Sequence, residues 1–167
     1  MEAQKLKTGS SSTFSFGSTS AIITNIALII GLDTTLNAKA IIIGSLLVIA
    51  LADNISDTLG MHMFQESEGH SKKTVWLLTF TNFFSRLLTS LGFICIILIF
   101  PLSVGVLLGV IYGLSILILV SYLIAKNRRV SPWSAIGEHL LIAIIVIMLS
   151  KLFGGLILKN FNNLKSN

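Results

Sequence analysis

The feature that most constrains this chain is the length of its apolar runs. Each run comes close to the roughly 20 residues that a helix needs to cross a hydrocarbon core of about 30 Å. Only 11% of the residues are charged, compared with roughly 25% in a soluble domain, so water is not the main solvent. The sequence therefore predicts an all-α integral membrane protein of about five transmembrane helices, at 18–36, 38–64, 75–100, 102–125 and 135–158.

Prolines and tryptophans mark several ends of these runs. Pro101 separates the third run from the fourth, because proline ends one helix and suits the first turn of the next. Ser131 and Pro132 have the character of an N-cap and a first helical residue, so the fifth helix is predicted to start there. Trp76 and Trp133 lie near helix starts, where tryptophans contact the membrane–water interface.

The distribution of Lys and Arg predicts the orientation. With five crossings, one side of the membrane holds seven of these residues and the other side holds three. Because basic residues are enriched in cytoplasmic loops, we expect a cytoplasmic amino terminus and an outside carboxyl terminus, in the cell membrane. The net charge of +5 mostly reflects this bias, and a smaller part of it serves contact with anionic lipid headgroups. No pattern points to nucleic acid. The basic side holds Lys5, Lys7, Lys72, Lys73, Lys126, Arg128 and Arg129.

The two ends of the chain are predicted to lie outside the spans. Residues 1–17 are rich in Ser and Thr and predict a disordered cytoplasmic tail, and residues 159–167 form a polar tail. A cleaved signal peptide is an alternative, because Lys5 and Lys7 precede an apolar run and residues 38–40 (Ala-Lys-Ala) resemble a cleavage site. The distance between these lysines and the apolar run favours an uncleaved helix.

Four charged residues lie inside the predicted spans: Asp53, Asp57, Arg86 and Lys151. A charge at the bilayer centre costs at least about 2.5 kcal/mol, so such residues are candidates for function. Asp53 and Asp57 are four residues apart and therefore share one helix face. Two carboxylates so placed repel each other unless a cation lies between them or one is protonated.

Further potential metal ligands follow the two acids, and they are Met61, His62 and Glu66, with Glu68 and His70 beyond them. Carboxylate oxygens combined with imidazole and thioether donors favour Mn²⁺ or Fe²⁺ over Ca²⁺. An alternative is that Asp53 forms an ion pair with Arg86, since the two residues lie at similar depth on antiparallel helices. That pair would leave Asp57 as the more available ligand.

The segment Ala52-Asp-Asn-Ile-Ser-Asp-Thr-Leu-Gly-Met-His62, followed by Glu66-Ser-Glu68, resembles the second helix of the vacuolar iron transporter family. Ser56, Gly60 and Ser67 keep the frame of that family's small-residue and Gly-Glu-Tyr pattern. Phe16-Gly-Ser-Thr-Ser-Ala-Ile-Ile-Thr24 is similar to the family's Phe-Gly-x-x-Asp-Gly-x-x-Thr opening. A looser similarity continues through Pro-Trp-Ser-Ala-Ile-Gly into the fifth helix.

The chain also departs from the family pattern. The family's first-helix aspartate falls at Ser20, its second-helix methionine at Asp57, and its Gly-Glu-Tyr glutamate at Met61. The connection 65–74 is too short for the cytoplasmic metal-binding helices of some members. An acid is thus lost from the first helix and gained on the second, which gives a rearranged ligand set.

The resemblance implies a homodimer whose ion path lies between subunits, lined by the first and second helices. It also implies proton-coupled export of Fe²⁺ or Mn²⁺, with the ion as cargo and no permanently bound cofactor. We expect Asp57 to bind the ion together with Asp53, Ser20, Thr24 or Asn25, while Glu66, Glu68 and His70 gather ions at the cytoplasmic mouth. Protonation of a carboxylate would then release the metal.

Two other classes of function are weighed against transport. Asp-x-x-x-Asp also ends the active-site motif of phosphatidyl-alcohol transferases, but the upstream Asp-Gly-x-x-Ala-Arg element is missing. Intramembrane aspartyl proteases carry their two aspartates on different helices. We therefore expect no enzymatic activity. A membrane scaffold or assembly protein that keeps the transporter fold without transporting remains the alternative.

Overall fold

The computed structural model describes the backbone of residues 2–164 and the side chains of residues 13–157 and 159. The regular structure in this part of the chain is entirely helical. Five helices are long and apolar enough to span a membrane, which confirms the predicted all-α membrane fold. They are α1 (Glu2–Leu32), α2 (Ala38–Ser67), α3 (Lys72–Ile99), α4 (Leu102–Arg128) and α5 (Pro132–Leu164).

Local signals explain most helix ends. Asn37, before α2, and Arg129, after α4, adopt the left-handed conformation that reverses the chain in short connections. Ser71 caps α3 by accepting a hydrogen bond from the backbone N–H of Thr74. Helix α5 begins at Pro132, as the sequence predicts. The predicted boundaries differ from the observed ones by a few residues, because polar residues at a helix end can continue the helix into the headgroup region.

The start of α1 differs from the prediction of a tail over residues 1–17. The helix extends back to Glu2, and Thr13 and Ser15 are buried. Gly17 explains why this polar stretch packs: a Cβ on Gly17 would lie 2.3 Å from Ser85 Oγ and 2.7 Å from Asn82 Oδ1. The absence of a side chain lets α1 approach the polar face of α3, as small residues do in membrane helix interfaces.

Helix α1 is the central helix of the bundle, since it contacts each of the other four. An apolar core fills the half of the bundle that contains the carboxyl-terminal part of α1. A Cβ on Gly113 would lie 2.7 Å from Ile26 and 2.8 Å from Phe93, so this glycine permits close packing of α4 on the core. The largest buried core side chains are Ile22, Ile26, Ile29, Ile42, Leu46, Phe93 and Ile97.

A π-helical segment, Ile49–Asp53, interrupts α2 at mid-membrane. The N–H of Asn54 reaches back to the carbonyl of Ile49, five residues earlier, which makes a wider turn than in an α-helix. Buried positions along α2 are four residues apart, and an α-helix alone would rotate them steadily away from one face. The wider turn offsets part of that rotation. Buried apolar positions before the segment (Ala38, Ile42, Leu46) and within it (Ala50) are thus followed on the same face by polar Asn54 and Thr58.

Candidate functional site

Arg86 on α3 is the centre of a polar cluster that joins three helices. Its side chain is only 3% exposed, and its Nη2 forms an ion pair with Asp53. Its Nη1 lies 3.2 Å from Asp57 Oδ2 and donates a hydrogen bond of 2.6 Å to Ser20 Oγ on α1. The ion pair expected between Asp53 and Arg86 is therefore present. The second ion pair, with Asp57, was not expected.

The charges of this cluster do not cancel. Two carboxylates and one guanidinium leave a formal charge of −1 within a membrane-spanning region. The guanidinium relieves the repulsion between the acids because it lies between them. The side chains of Asp53 and Asp57 nevertheless remain 46% and 26% exposed at the edge of the bundle. A residual charge at this depth is costly unless a cation, a proton or a partner compensates for it.

An amide side chain on α3 also holds Asp57, through the same oxygen that Arg86 contacts. Asn82 Nδ2 donates hydrogen bonds to Asp57 Oδ2 at 3.2 Å and to Thr58 Oγ1 at 3.3 Å. Thr58 in turn donates to Asn54 Oδ1, and Asn54 donates to the carbonyl of Phe83. This chain of bonds ties α2 to α3 and fixes the face that carries the acid.

Three buried polar atoms near the centre of the bundle lack a hydrogen-bond partner within the described residues. They are Asn82 Oδ1, Arg86 Nε and Asn25 Oδ1. Asn25 was expected to face the ion, but its Nδ2 donates to Ser90 Oγ at 2.9 Å instead. Buried polar groups nearly always have a hydrogen-bond partner in proteins. Three such atoms without one therefore indicate a region that can accommodate water, a proton or an ion.

An open groove of about 510 Å³ lies between the middle of α1, at Thr13 and Phe16, and the carboxyl-terminal half of α2. Among the described lining residues, Asp57 is the one ionisable group, and Gly60 leaves the groove wall without a side chain. Gln65 Nε2 lies 3.4 Å from the sulfur of Met61 inside the same groove. The groove thus offers carboxylate, amide and thioether groups to one small volume. The described lining residues are Thr13, Phe16, Asp57, Gly60, Met61, Phe64 and Gln65.

Two of the expected ligands, His62 and Glu66, face a different surface. His62 Nδ1 is 2.9 Å from Thr79 Oγ1, its Nε2 is 3.6 Å from Glu66, and its ring packs 4.8 Å from that of Trp76. His62 lines a separate, mostly apolar groove between α2 and α3. Among the described residues, no three His, Cys, Asp or Glu side chains converge into a metal-binding group.

The structure therefore divides the expected ligand set. Asp53, Asp57 and Ser20 meet at Arg86, and Met61 lies beside Asp57 in the groove. Thr24 is partly buried one turn along α1 from Ser20, and no ion pair or side-chain hydrogen bond ties it to the cluster.

Sequence reasoning found Arg86 on α3 but missed the polar residues that accompany it on the same helix. A polar stripe at three- and four-residue spacing runs through this apolar helix, and that spacing places all of its members on one face. All five members are buried. The stripe is the signal that identifies α3 as the wall of the site, and it consists of Asn82, Ser85, Arg86, Thr89 and Ser90.

The cluster can exchange partners without large movement, because each carboxylate has two oxygens and the guanidinium has several donors. It can thus hold a cation or a proton while Arg86 stays between the helices. Comparison with known proteins finds no family model that matches the chain, and neither a curated protein nor a solved structure similar to it, so the function is inferred from the site itself.

Proposed function

We propose that this protein transports a divalent transition-metal ion, Fe²⁺ or Mn²⁺, out of the cytoplasm in exchange for protons, with Asp57 as the main ligand. One observation carries the proposal: a carboxylate inside a membrane-spanning region lines an open groove and belongs to a cluster of net negative charge. Intramembrane ionisable groups that face a polar cavity mark ion and substrate pathways.

The donors beside Asp57 support a transition metal as the cargo. Carboxylate, amide and hydroxyl oxygens suit Mn²⁺ and Fe²⁺, and the thioether of Met61 adds a softer donor that Ca²⁺ and Mg²⁺ do not favour. Asp53 lies one turn away, and its side chain is 46% exposed. It can receive the ion, or the proton, after Asp57.

The predicted orientation supports export. The excess of Lys and Arg assigns the amino-terminal end of α1 and the carboxyl-terminal end of α2 to the cytoplasm, and the groove lies at this end. Glu66 and Glu68 are exposed beyond it and can attract cations. In the proposed homodimer, a second copy packed on exposed Phe16 and Phe64 would enclose the groove.

The test is uptake of Mn²⁺ and Fe²⁺ into proteoliposomes with an imposed proton gradient. We expect Asp57→Asn to lower the initial rate at least about tenfold, because losing a charged ligand removes roughly 1.5–3 kcal/mol of binding. Asp33→Asn makes the same chemical change between α1 and α2, outside the groove, and should transport like the wild type. A wild-type rate in Asp57→Asn contradicts the assignment of the ligand.

A second candidate is a scaffold that keeps the fold without transporting. The observation that favours it is Arg86, which already lies where a cation between the two acids would sit. On this alternative, Asp57 contributes to stability alone. A well-folded wild-type protein that neither binds nor transports Mn²⁺ or Fe²⁺ would favour the scaffold, whereas transport excludes it.

A further inference from the structure

We infer that Arg86 is a tethered cation that competes with the transported ion for Asp57, so that the ion binds only when Nη1 of Arg86 leaves this carboxylate. The inference rests on the proposed function, because it describes how the same site is regulated. Its starting point is that the two terminal nitrogens of Arg86 are engaged differently.

The nitrogen Nη1 has two acceptors. It contacts Asp57 Oδ2 at 3.2 Å, which is long for a charge-assisted bond, and Ser20 Oγ at 2.6 Å, which is short. If the contact with Asp57 is lost, Nη1 keeps its hydrogen bond to Ser20. Ser20 thus provides a neutral acceptor that holds Nη1 in either position.

The nitrogen Nη2 keeps the guanidinium in the cluster. It is paired with Asp53, whose side chain is 46% exposed and has a second oxygen available. Arg86 Nε has no hydrogen-bond partner within the described residues, so no third bond fixes the rotation of the guanidinium plane. A small rotation about Nη2 therefore moves Nη1 away from Asp57 while its hydrogen bond to Ser20 is kept, and Arg86 stays in the site.

Simultaneous binding of the ion and Nη1 to Asp57 is unfavourable. Both would contact one carboxylate at a depth where charges are poorly screened, so their repulsion is strong. The charge arithmetic also discriminates between ions. A monovalent ion at Asp57 would replace the positive charge of the guanidinium by an equal one. It would bind poorly, because the guanidinium is tethered beside Asp57 and therefore competes at a high effective concentration. A divalent ion attracts Asp57 with twice the charge of the guanidinium that it displaces from this carboxylate. Arg86 is thus a specificity-determining residue that favours divalent cargo.

A charge-matched double variant tests this inference. Asp53→Asn with Arg86→Gln removes one acid and one base, so Asp57 keeps the net charge of −1 that the wild-type cluster has. Mn²⁺ binding to the full-length protein in detergent is measured by the electron paramagnetic resonance of free Mn²⁺. We expect at least about tenfold tighter binding by the double variant, because the ion no longer breaks a charge-assisted contact.

The outcomes separate the inference from the proposed function. Equal or weaker Mn²⁺ binding by the double variant, with measurable binding by the wild type, overturns the competition and leaves the transport proposal intact. Absence of Mn²⁺ binding in both proteins overturns the transport proposal itself.

A second measurement tests the selection of divalent ions. When Na⁺ replaces choline at constant ionic strength, Mn²⁺ affinity should fall more in the double variant than in the wild type. An equal fall overturns the role of Arg86 in selecting divalent ions.

A single variant covers the case in which the double variant does not fold. Arg86→Gln leaves both acids uncompensated, so its folded state should depend on an added cation. We expect Mn²⁺ to raise the thermal midpoint of Arg86→Gln more than that of the wild type, because the ion takes over the position of the guanidinium. A midpoint of Arg86→Gln that Mn²⁺ does not raise overturns the inference.

Discussion

Adjacent glycines on α5 provide the sharpest test of the packing. A Cβ built on Gly154 would lie 2.2 Å from the backbone oxygen of Gly31 and 3.0 Å from its carbonyl carbon, whereas a Cβ on Gly155 meets nothing within 4 Å. Both positions are glycines, and they are neighbours on the same helix at nearly the same depth. The substitutions Gly154→Ala and Gly155→Ala therefore differ only in what the added methyl group contacts.

The size of the effect follows from the geometry. An ordinary Cβ contact begins at 3.4 Å, so α1 and α5 must separate by about 1 Å to accept Gly154→Ala. The obstacle is backbone and cannot rotate away. Overpacking of this kind costs about 1–3 kcal/mol. Any gain in helix propensity from Gly to Ala, up to about 1 kcal/mol, applies to both variants and cancels in their comparison. We therefore expect Gly154→Ala to be about 1–3 kcal/mol less stable than Gly155→Ala.

The assay is reversible unfolding in mixed micelles of increasing sodium dodecyl sulfate, followed by circular dichroism. Both variants are measured beside the wild type under the same conditions. Equal unfolding free energies for the two alanine variants would show that α1 and α5 do not meet at Gly31 and Gly154. The central position of α1 in the bundle would then be wrong as well.

Two further predictions concern charge and orientation. Arg86→Ala should lower the unfolding free energy by about 3–5 kcal/mol, since it leaves two carboxylates without their counter-ion; a loss below about 1 kcal/mol in the same unfolding assay would mean that the ion pairs contribute little. In a Cys95→Ser background, a membrane-impermeant maleimide should label Lys159→Cys in intact cells but Lys126→Cys only after permeabilisation, because the basic side is cytoplasmic. The reverse pattern would invert the orientation.

The sequence was sufficient for the architecture and for part of the site. Long apolar runs and a shortage of charge leave few folds other than a helical bundle in a membrane. The pair of Asp53 and Arg86 followed from depth alone, because two opposite charges at one level on antiparallel helices have few other partners. These conclusions depend on composition and spacing, which the chain carries locally.

The remaining features depend on contacts that no local pattern contains. His62 is five residues after Asp57, and at 3.6 residues per turn it points about 140° away from that acid, so proximity in sequence was misleading. The second ion pair of Arg86 requires the position of α1, because Ser20 holds the nitrogen that also reaches Asp57. The π-helical turn at Ile49–Asp53, which contacts α3, was not predicted either.

The central position of α1 has a consequence for biogenesis. Helix α1 leaves the ribosome before the other four helices, and it is also the helix that each of them contacts. Every later helix therefore finds one packing partner, α1, already in the bilayer when it inserts, although α2 makes its larger contact with α3, which is synthesised after it. The bundle can thus grow around α1, and a truncated α1 would deprive all four remaining helices of their common partner.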